Sequence, residues 1–249
     1  MPIWLQAGFW GLLAGGALVV GAAIAWFIPV PRRVVASIMA FGAGVLISAL
    51  AFDLVDEAET TGGLRPTIIG FLAGATAYVA ANVILARRGA RHRKRSEGQQ
   101  PSEAQQQGSG AAIAIGALLD GIPESVVLGL SLLGGGGVGV PVLVAIAISN
   151  LPEGLSSAAG MKRSGRSAGY VFGVWGGIAL ASGAAGLLGV VFLQGASPQT
   201  IALITAVAAG AILAMIADTM IPEAFERTHL YTGLIATVGF ITAFAVERL

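Results

Sequence analysis

The sequence predicts an all-α polytopic membrane protein of eight transmembrane helices, and three observations predict it. Of 249 residues, 55% are hydrophobic and 11% charged, where a soluble domain carries about 25% charged residues. The apolar residues gather into eight segments near the ~20 residues that cross a bilayer. Basic residues concentrate in alternate connections, as the positive-inside rule requires.

The elements follow in order. Helix 1 is expected over 3–28, closed by Pro29 and Pro31, and helix 2 over 34–57, ending in Asp53, Asp56 and Glu57. Helix 3 covers 67–86. Residues 87–110 read RRGARHRKRSEGQQPSEAQQQGSG. That stretch is too charged and too rich in Gln and Ser to form a core, so a disordered cytoplasmic linker is expected. Helix 4 covers 111–133, a tight turn Gly134–Gly137, and helix 5 covers 139–161. No charged residue occurs from Ser167 to Ala217, enough for two helices broken at QGASPQ, so helix 6 is placed at 168–193 and helix 7 at 199–223. Helix 8 covers 230–246. The chain reads as one transmembrane domain, 1–249.

Twelve Lys and Arg residues fall on one set of connections: Arg32, Arg33, Arg87, Arg88, Arg91, Arg93, Lys94, Arg95, Lys162, Arg163, Arg166 and Arg227. Only Arg65 and Arg248 fall on the other. Both termini are therefore expected outside a plasma or inner membrane, with the linker in the cytoplasm. The same rule explains the basic run of the linker, so no nucleic-acid partner is expected. MPIWLQAGFW lacks the basic start of a signal peptide. Without cysteine there are no disulfides or thiolate ligands. The histidines are His92 and His229. The 37 glycines point to close helix packing.

The chemistry concentrates in two near-copies, DGIPES (Asp120 to Ser125) and SNLPEG (Ser149 to Gly154), each mid-segment. A carboxylate at that depth is costly and marks a functional site. Residues i and i+4 share a helix face, which pairs Asp120 with Glu124 and Ser149 with Glu153; Asn150 joins Glu153 at i+3. Pro123 and Pro152 free the carbonyls of Leu119 and Ile148. With helices 4 and 5 as antiparallel neighbours, three carboxylates, a hydroxyl and an amide converge. No Lys or Arg lies within any span, so pairing with a base is excluded, and a divalent cation resolves the repulsion. Asp53 and Asp218 flank this site as pathway residues. Their contexts, FDLVDEA and ADTMIPEA, relate helices 1–3 to helices 6–8 as inverted repeats, with a one-residue gap.

These residues resemble the ZIP family of divalent-metal transporters. The likeness covers eight helices, outside termini, a long loop after helix 3, the Pro-Glu motifs, FGAGVLISALAF (Phe41 to Phe52) and IPEA (Ile221 to Ala224). It implies a 3+2+3 helix arrangement and metal transport through this site. The family's helix-4 His-Asn-x-Pro-Glu-Gly falls on Asp120 to Ser125, and its helix-5 pattern on Ser149 to Gly154. The departures are Asp120 for the histidine, Gly121 for the asparagine, Asn150 for the helix-5 acid and, in SGAAGL, Gly186 for a helix-6 glutamate. One metal is therefore expected, held by Asp120, Glu124 and Glu153 with Ser149 or Asn150. The linker offers only His92 where the family often has a His-rich tract.

A transporter of Zn²⁺, Mn²⁺ or Fe²⁺ is the expected function, with the metal as cargo, no cofactor and no catalytic residue. The expected partners are the metal and the lipid bilayer, and a homodimer is left open. Two alternatives are an intramembrane metal-dependent hydrolase, which would want Arg or Lys beside the metal, and a non-transporting assembly or sensor protein. A cysteine placed at Gly98 is expected to react with an impermeant thiol reagent only from the cytoplasmic face. Labelling on intact cells would reverse the orientation.

Overall fold

The computed structural model describes residues 1–95, 99–134 and 139–248. The expected turn Gly134–Gly137 falls mostly outside these, as do Ser96, Glu97 and Gly98 of the linker. The described residues are helical with no strand. Seven helical stretches are long and apolar enough to span a membrane: Ile3–Phe27, Arg32–Gly62, Leu64–Ala90, Ser109–Leu133, Val142–Arg163, Ala168–Leu193 and Pro198–Thr228. By length and composition they identify a multi-pass membrane protein. A last apolar helix, Tyr231–Glu247, has 17 residues, about 25 Å at 1.5 Å per residue. Large apolar side chains such as Leu72, Leu180, Phe192 and Leu234 lie exposed on the outside, as the lipid-facing surface of a membrane protein requires.

The helices are α1 (Ile3–Phe27), α2 (Arg32–Ala49), α3 (Val55–Gly62), α4 (Leu64–Leu85), α5 (Ser109–Leu130), α6 (Val140–Arg163), α7 (Ala168–Leu193), α8 (Pro198–Met215), α9 (Ile221–Thr228) and α10 (Tyr231–Glu247). Between α2 and α3 lies a π-helical turn, Leu50–Leu54, and between α8 and α9 another, Ile216–Met220. Both composite spans divide alike, into 18, 5 and 8 residues. Asp53 sits in the first π turn and Asp218 in the second, one register position apart, matching the one-residue gap in the sequence alignment. Such turns widen the hydrogen-bond ladder and recur at functional sites. Pro222 accounts for the second, because it lacks the N–H that would reach the Asp218 carbonyl. No proline accompanies the first.

Packing repeats the same correspondence. Helix α10 lies along α2, and α4 lies along α8; α1 packs on α6, and α7 on α5; α1 and α7 meet each other. Exchanging α1, α2 and α4 with α7, α8 and α10, and α5 with α6, maps these contacts onto one another. Close approach is built from glycine at equivalent crossings. An added methyl on Gly44 would overlap the Ala236 carbonyl and one on Gly239 that of Phe41; on Gly210 it would overlap the Phe71 carbonyl and on Gly74 that of Val207. The largest apolar cluster gathers Met39, Leu46, Tyr78, Leu128, Ile146, Met215 and Met220 around the centre.

Two expectations change. Helices α5 and α6 run through Pro123 and Pro152 without a break. They touch each other only lightly, while α1 packs against both, so they are not the closely paired neighbours the short connection implied. The linker also packs: Arg93, Lys94 and Gln100 are buried. The chain turns back at Gly89, whose φ of +102° is one that glycine adopts without strain.

Gly44→Ala and Gly210→Ala are each expected to cost about 1–3 kcal/mol through overpacking, read as a loss in unfolding midpoint. Gly173→Ala has open space around its Cβ and is expected to cost nothing. A harmless Gly44→Ala would contradict the two-fold arrangement.

Candidate functional site

The site is built by three elements that the sequence keeps far apart. From α5 come Asp120 and Glu124, from α6 comes Glu153, and all three are at most 4% exposed. The third element is the start of the linker. Arg93 reaches Asp120 as a two-pronged fork, Nε to Oδ2 at 3.0 Å and Nη2 to Oδ1 at 2.9 Å. The Tyr78 hydroxyl of α4 donates to the same Oδ1 at 2.7 Å and accepts from Arg93 Nη2 at 2.9 Å. Lys94 Nζ lies between the two helices, 2.9 Å from Glu153 Oε1 and 3.4 Å from Asp120 Oδ2. The gap that separates α5 from α6 is thus filled by two cations of the linker.

This corrects the central electrostatic expectation. Pairing with a base was excluded because the spans hold no Lys or Arg, yet the linker carries both into the bundle. The fork geometry is the strong, charge-assisted form that guanidinium and carboxylate make. Burial works against the Arg93 charge, but the adjacent Asp120 carboxylate outweighs it and raises the guanidinium above its ordinary value. Arg93 therefore stays charged.

Arg95 extends the series outward, with Nη1 at 2.6 Å from Glu226 and Nε at 3.4 Å from Glu223. The backbone of the basic tripeptide is also held. Gln100 Nε2 donates to the carbonyls of Arg93 at 2.8 Å and Arg95 at 3.2 Å, and also to that of Ser157. The Ser156 hydroxyl hydrogen-bonds the Lys94 carbonyl and Glu223. Further along, Glu103 accepts from Arg166 at 2.7 Å and from the Gly108 and Gly110 amides. The Arg166 hydrogen bond and the two amides hold the Glu103 carboxyl down at about 2.

The sequence-derived site residues divide. Asp120 and Glu153 meet through Lys94. Glu124, one turn beyond Asp120, is 2% exposed, and its Oε1 accepts no hydrogen bond among the described residues. The Ser149 hydroxyl donates to the Ile146 carbonyl of its own helix, and the Asn150 amide nitrogen donates to the Ala14 carbonyl of α1 at 3.0 Å. Asp53 lines a cavity of about 30 Å³ with Ser48, Val144, Ile148 and Thr242. Asp218 is exposed. It accepts from Asn82 at 3.4 Å, and Asn82 accepts from Arg93 Nη1 at 2.7 Å. Among the described residues no three His, Cys, Asp or Glu side chains stand close enough to hold a metal ion.

Tyr78, Asn82, Arg93, Lys94, Gln100 and Ser156 were not anticipated. Tyr78 and Asn82 carried a signal, a polar pair at i and i+4 on an apolar helix. Ser156 stands three residues after Glu153 on the same face. The basic tripeptide carried none, because charge placement alone accounted for it.

Asp120→Asn is expected to cost about 3–5 kcal/mol, since it strands the buried Arg93 charge. Adding Arg93→Gln is expected to restore most of that loss in an unfolding experiment. An Asp120→Asn protein as stable as the parent would mean the fork is not formed.

No family model matches the chain and no curated protein matches it, so the ZIP resemblance rests on the motif residues quoted above.

Proposed function

We propose that the protein is a divalent transition-metal ion transporter resembling the ZIP family. In this reading it has eight spans, outside termini and a cytoplasmic linker, and it moves metal inward through Asp120, Glu124 and Glu153. The observation that carries the reading is the charge balance at mid-span: three buried carboxyl groups against two cations, both cations on a connecting segment. A carboxylate without a partner at this depth has no structural use and a high desolvation cost. Glu124, whose Oε1 accepts no hydrogen bond among the described residues, comes nearest to that case.

The repeat architecture supports the same reading. Transporters place their sites between repeated halves, on the helices that the repeats enclose. Here α5 and α6 are those helices. The pocket of Asp53 reaches Ile148, next to Ser149, and Asp218 connects to Arg93 through Asn82, so each π turn sits on one side of the carboxylates. Metal binding requires Arg93 and Lys94 to withdraw, after which Asp120, Glu124 and Glu153 offer oxygen donors alone. Oxygen sites suit Mn²⁺ and Fe²⁺ better than histidine sites do, while Zn²⁺ prefers nitrogen or sulfur.

A second reading has its own observation. The fork between Arg93 and Asp120, completed by Tyr78, is the geometry of a permanent structural lock, which would suit a non-transporting membrane protein. The hydrolase reading gains basic residues near the carboxylates but lacks an open cleft, since the three acids are almost wholly enclosed.

Glu124→Gln separates these readings because it replaces a carboxyl oxygen donor with an amide and breaks no described hydrogen bond. In proteoliposomes it is expected to abolish Mn²⁺ and Zn²⁺ uptake while leaving the unfolding midpoint at or above that of the parent. Glu153→Gln is expected to abolish uptake as well. Uptake by the parent with both variants unchanged would remove the mid-span site, and no uptake by the parent would favour the structural lock. Asp120→His is expected to shift competitive uptake toward Zn²⁺ by adding a nitrogen ligand. An unchanged Zn²⁺ to Mn²⁺ ratio would take Asp120 out of the ligand set.

A further inference from the structure

We propose that Arg93 and Lys94 are tethered occupants of the cation site, competing with the transported ion for Asp120 and Glu153 and setting its apparent affinity. The proposal rests on the transport reading above and adds to it the identity of the competitor.

Charge carries the first part of the argument. A guanidinium and an ammonium leaving together remove two positive charges from the centre of the bundle, and a divalent cation entering returns two. The exchange leaves the mid-span charge unchanged, so Asp120 and Glu153 face two positive charges in either state. A single monovalent ion does not satisfy that balance. The arrangement thus favours divalent ions before any ligand preference acts.

The shape of the groove carries the second part. A methyl group added to Gly116 of α5 would meet Arg93 Cδ at 2.5 Å and Nε at 2.9 Å. One added to Gly160 of α6 would overlap the Arg95 carbonyl and the Gln100 amide. Both helices that bear the carboxylates thus lack a side chain where the tripeptide lies. Gly116 stands one turn before Asp120, and Gly160 seven residues after Glu153. The groove fits this segment of this chain.

The holding interactions carry the third part. The tripeptide is fixed by ion pairs to Asp120, Glu153, Glu223 and Glu226 and by hydrogen bonds from Gln100 and Ser156 to its carbonyls. All are polar, so water and ions can replace them when the segment withdraws into the aqueous phase. No large apolar side chain of residues 91–95 has to leave a core. A site that is open for only a fraction of the time binds its ligand more weakly by that fraction.

The test is Mn²⁺ binding to the purified full chain, read from the loss of the free-ion electron paramagnetic resonance signal. The double variant Arg93→Gln/Lys94→Gln is expected to bind Mn²⁺ about tenfold or more tightly than the parent, and adding Glu124→Gln and Glu153→Gln is expected to abolish that binding. Equal affinity in the parent and the double variant would overturn the proposal and leave the cation site standing. Absence of binding in both would overturn the transport reading, and the proposal with it. Gln100→Ala keeps every charge and removes the clamps that tie the Arg93 and Arg95 carbonyls to the Ser157 carbonyl of α6, so it decides the matter if the double variant does not fold. It is expected to tighten Mn²⁺ binding by a smaller factor, and parental affinity there would overturn the proposal.

Discussion

The buried fork between Arg93 and Asp120 is the interaction on which the centre of this protein depends. An aspartate enclosed at mid-span carries a large desolvation penalty, and a guanidinium offsets it only with good geometry and its remaining donors satisfied. Both conditions are met here: two prongs engage Asp120, a third nitrogen reaches Asn82, and Tyr78 bridges the pair. The consequence extends along the chain. To deliver Arg93 to that depth the linker must turn at Gly89, lay its tripeptide between α5 and α6 and hold its carbonyls with Gln100 and Ser156. The separation of α5 from α6 follows, because Lys94 stands between their acids.

Around that centre the scaffold obeys a simpler constraint. Without a hydrophobic force between helices in lipid, close approach must come from small residues, and glycines at matched crossings supply it on both sides of the two-fold. The matched π turns are the less expected part of the symmetry. Each spends one extra residue in a long helix and turns an aspartate off the regular ladder, one toward a small cavity beside α6 and the other toward Asn82. Scaffold and site are thereby joined: the same repeat that packs the spans also flanks the mid-span carboxylates with an acid on either side.

The spans were legible because each is a single apolar stretch whose limits are charges, prolines or polar breaks. The expected 168–193 coincides with α7, and most other limits fall within a few residues. The extension of the seventh span to Thr228 was missed, since Pro222 and the acids after it read as an ending, whereas a π turn lets the helix continue. The depth of Asp120, Glu124 and Glu153 was legible from position alone. What occupies the space between them was not. Composition places RHRKR in water, and no local pattern states that three of its residues will find acids 26 to 131 positions away. Helical periodicity put Ser149 and Asn150 near Glu153, but it could not show that the Ser149 hydroxyl donates to Ile146 and the Asn150 amide nitrogen to Ala14.

Cations of the linker lie inside the bundle, and the lysines offer a clean probe of their burial. The chain has two lysines, Lys94 and Lys162. Lys162 is exposed at the end of α6, while Lys94 is 5% exposed and ion-paired. Acetylation of the protein in lipid nanodiscs, followed residue by residue by mass spectrometry, compares them under one condition. Protection by burial predicts Lys94 reacting about tenfold or more slowly than Lys162, limited by opening of the segment. Equal rates would place Lys94 in water and contradict the account.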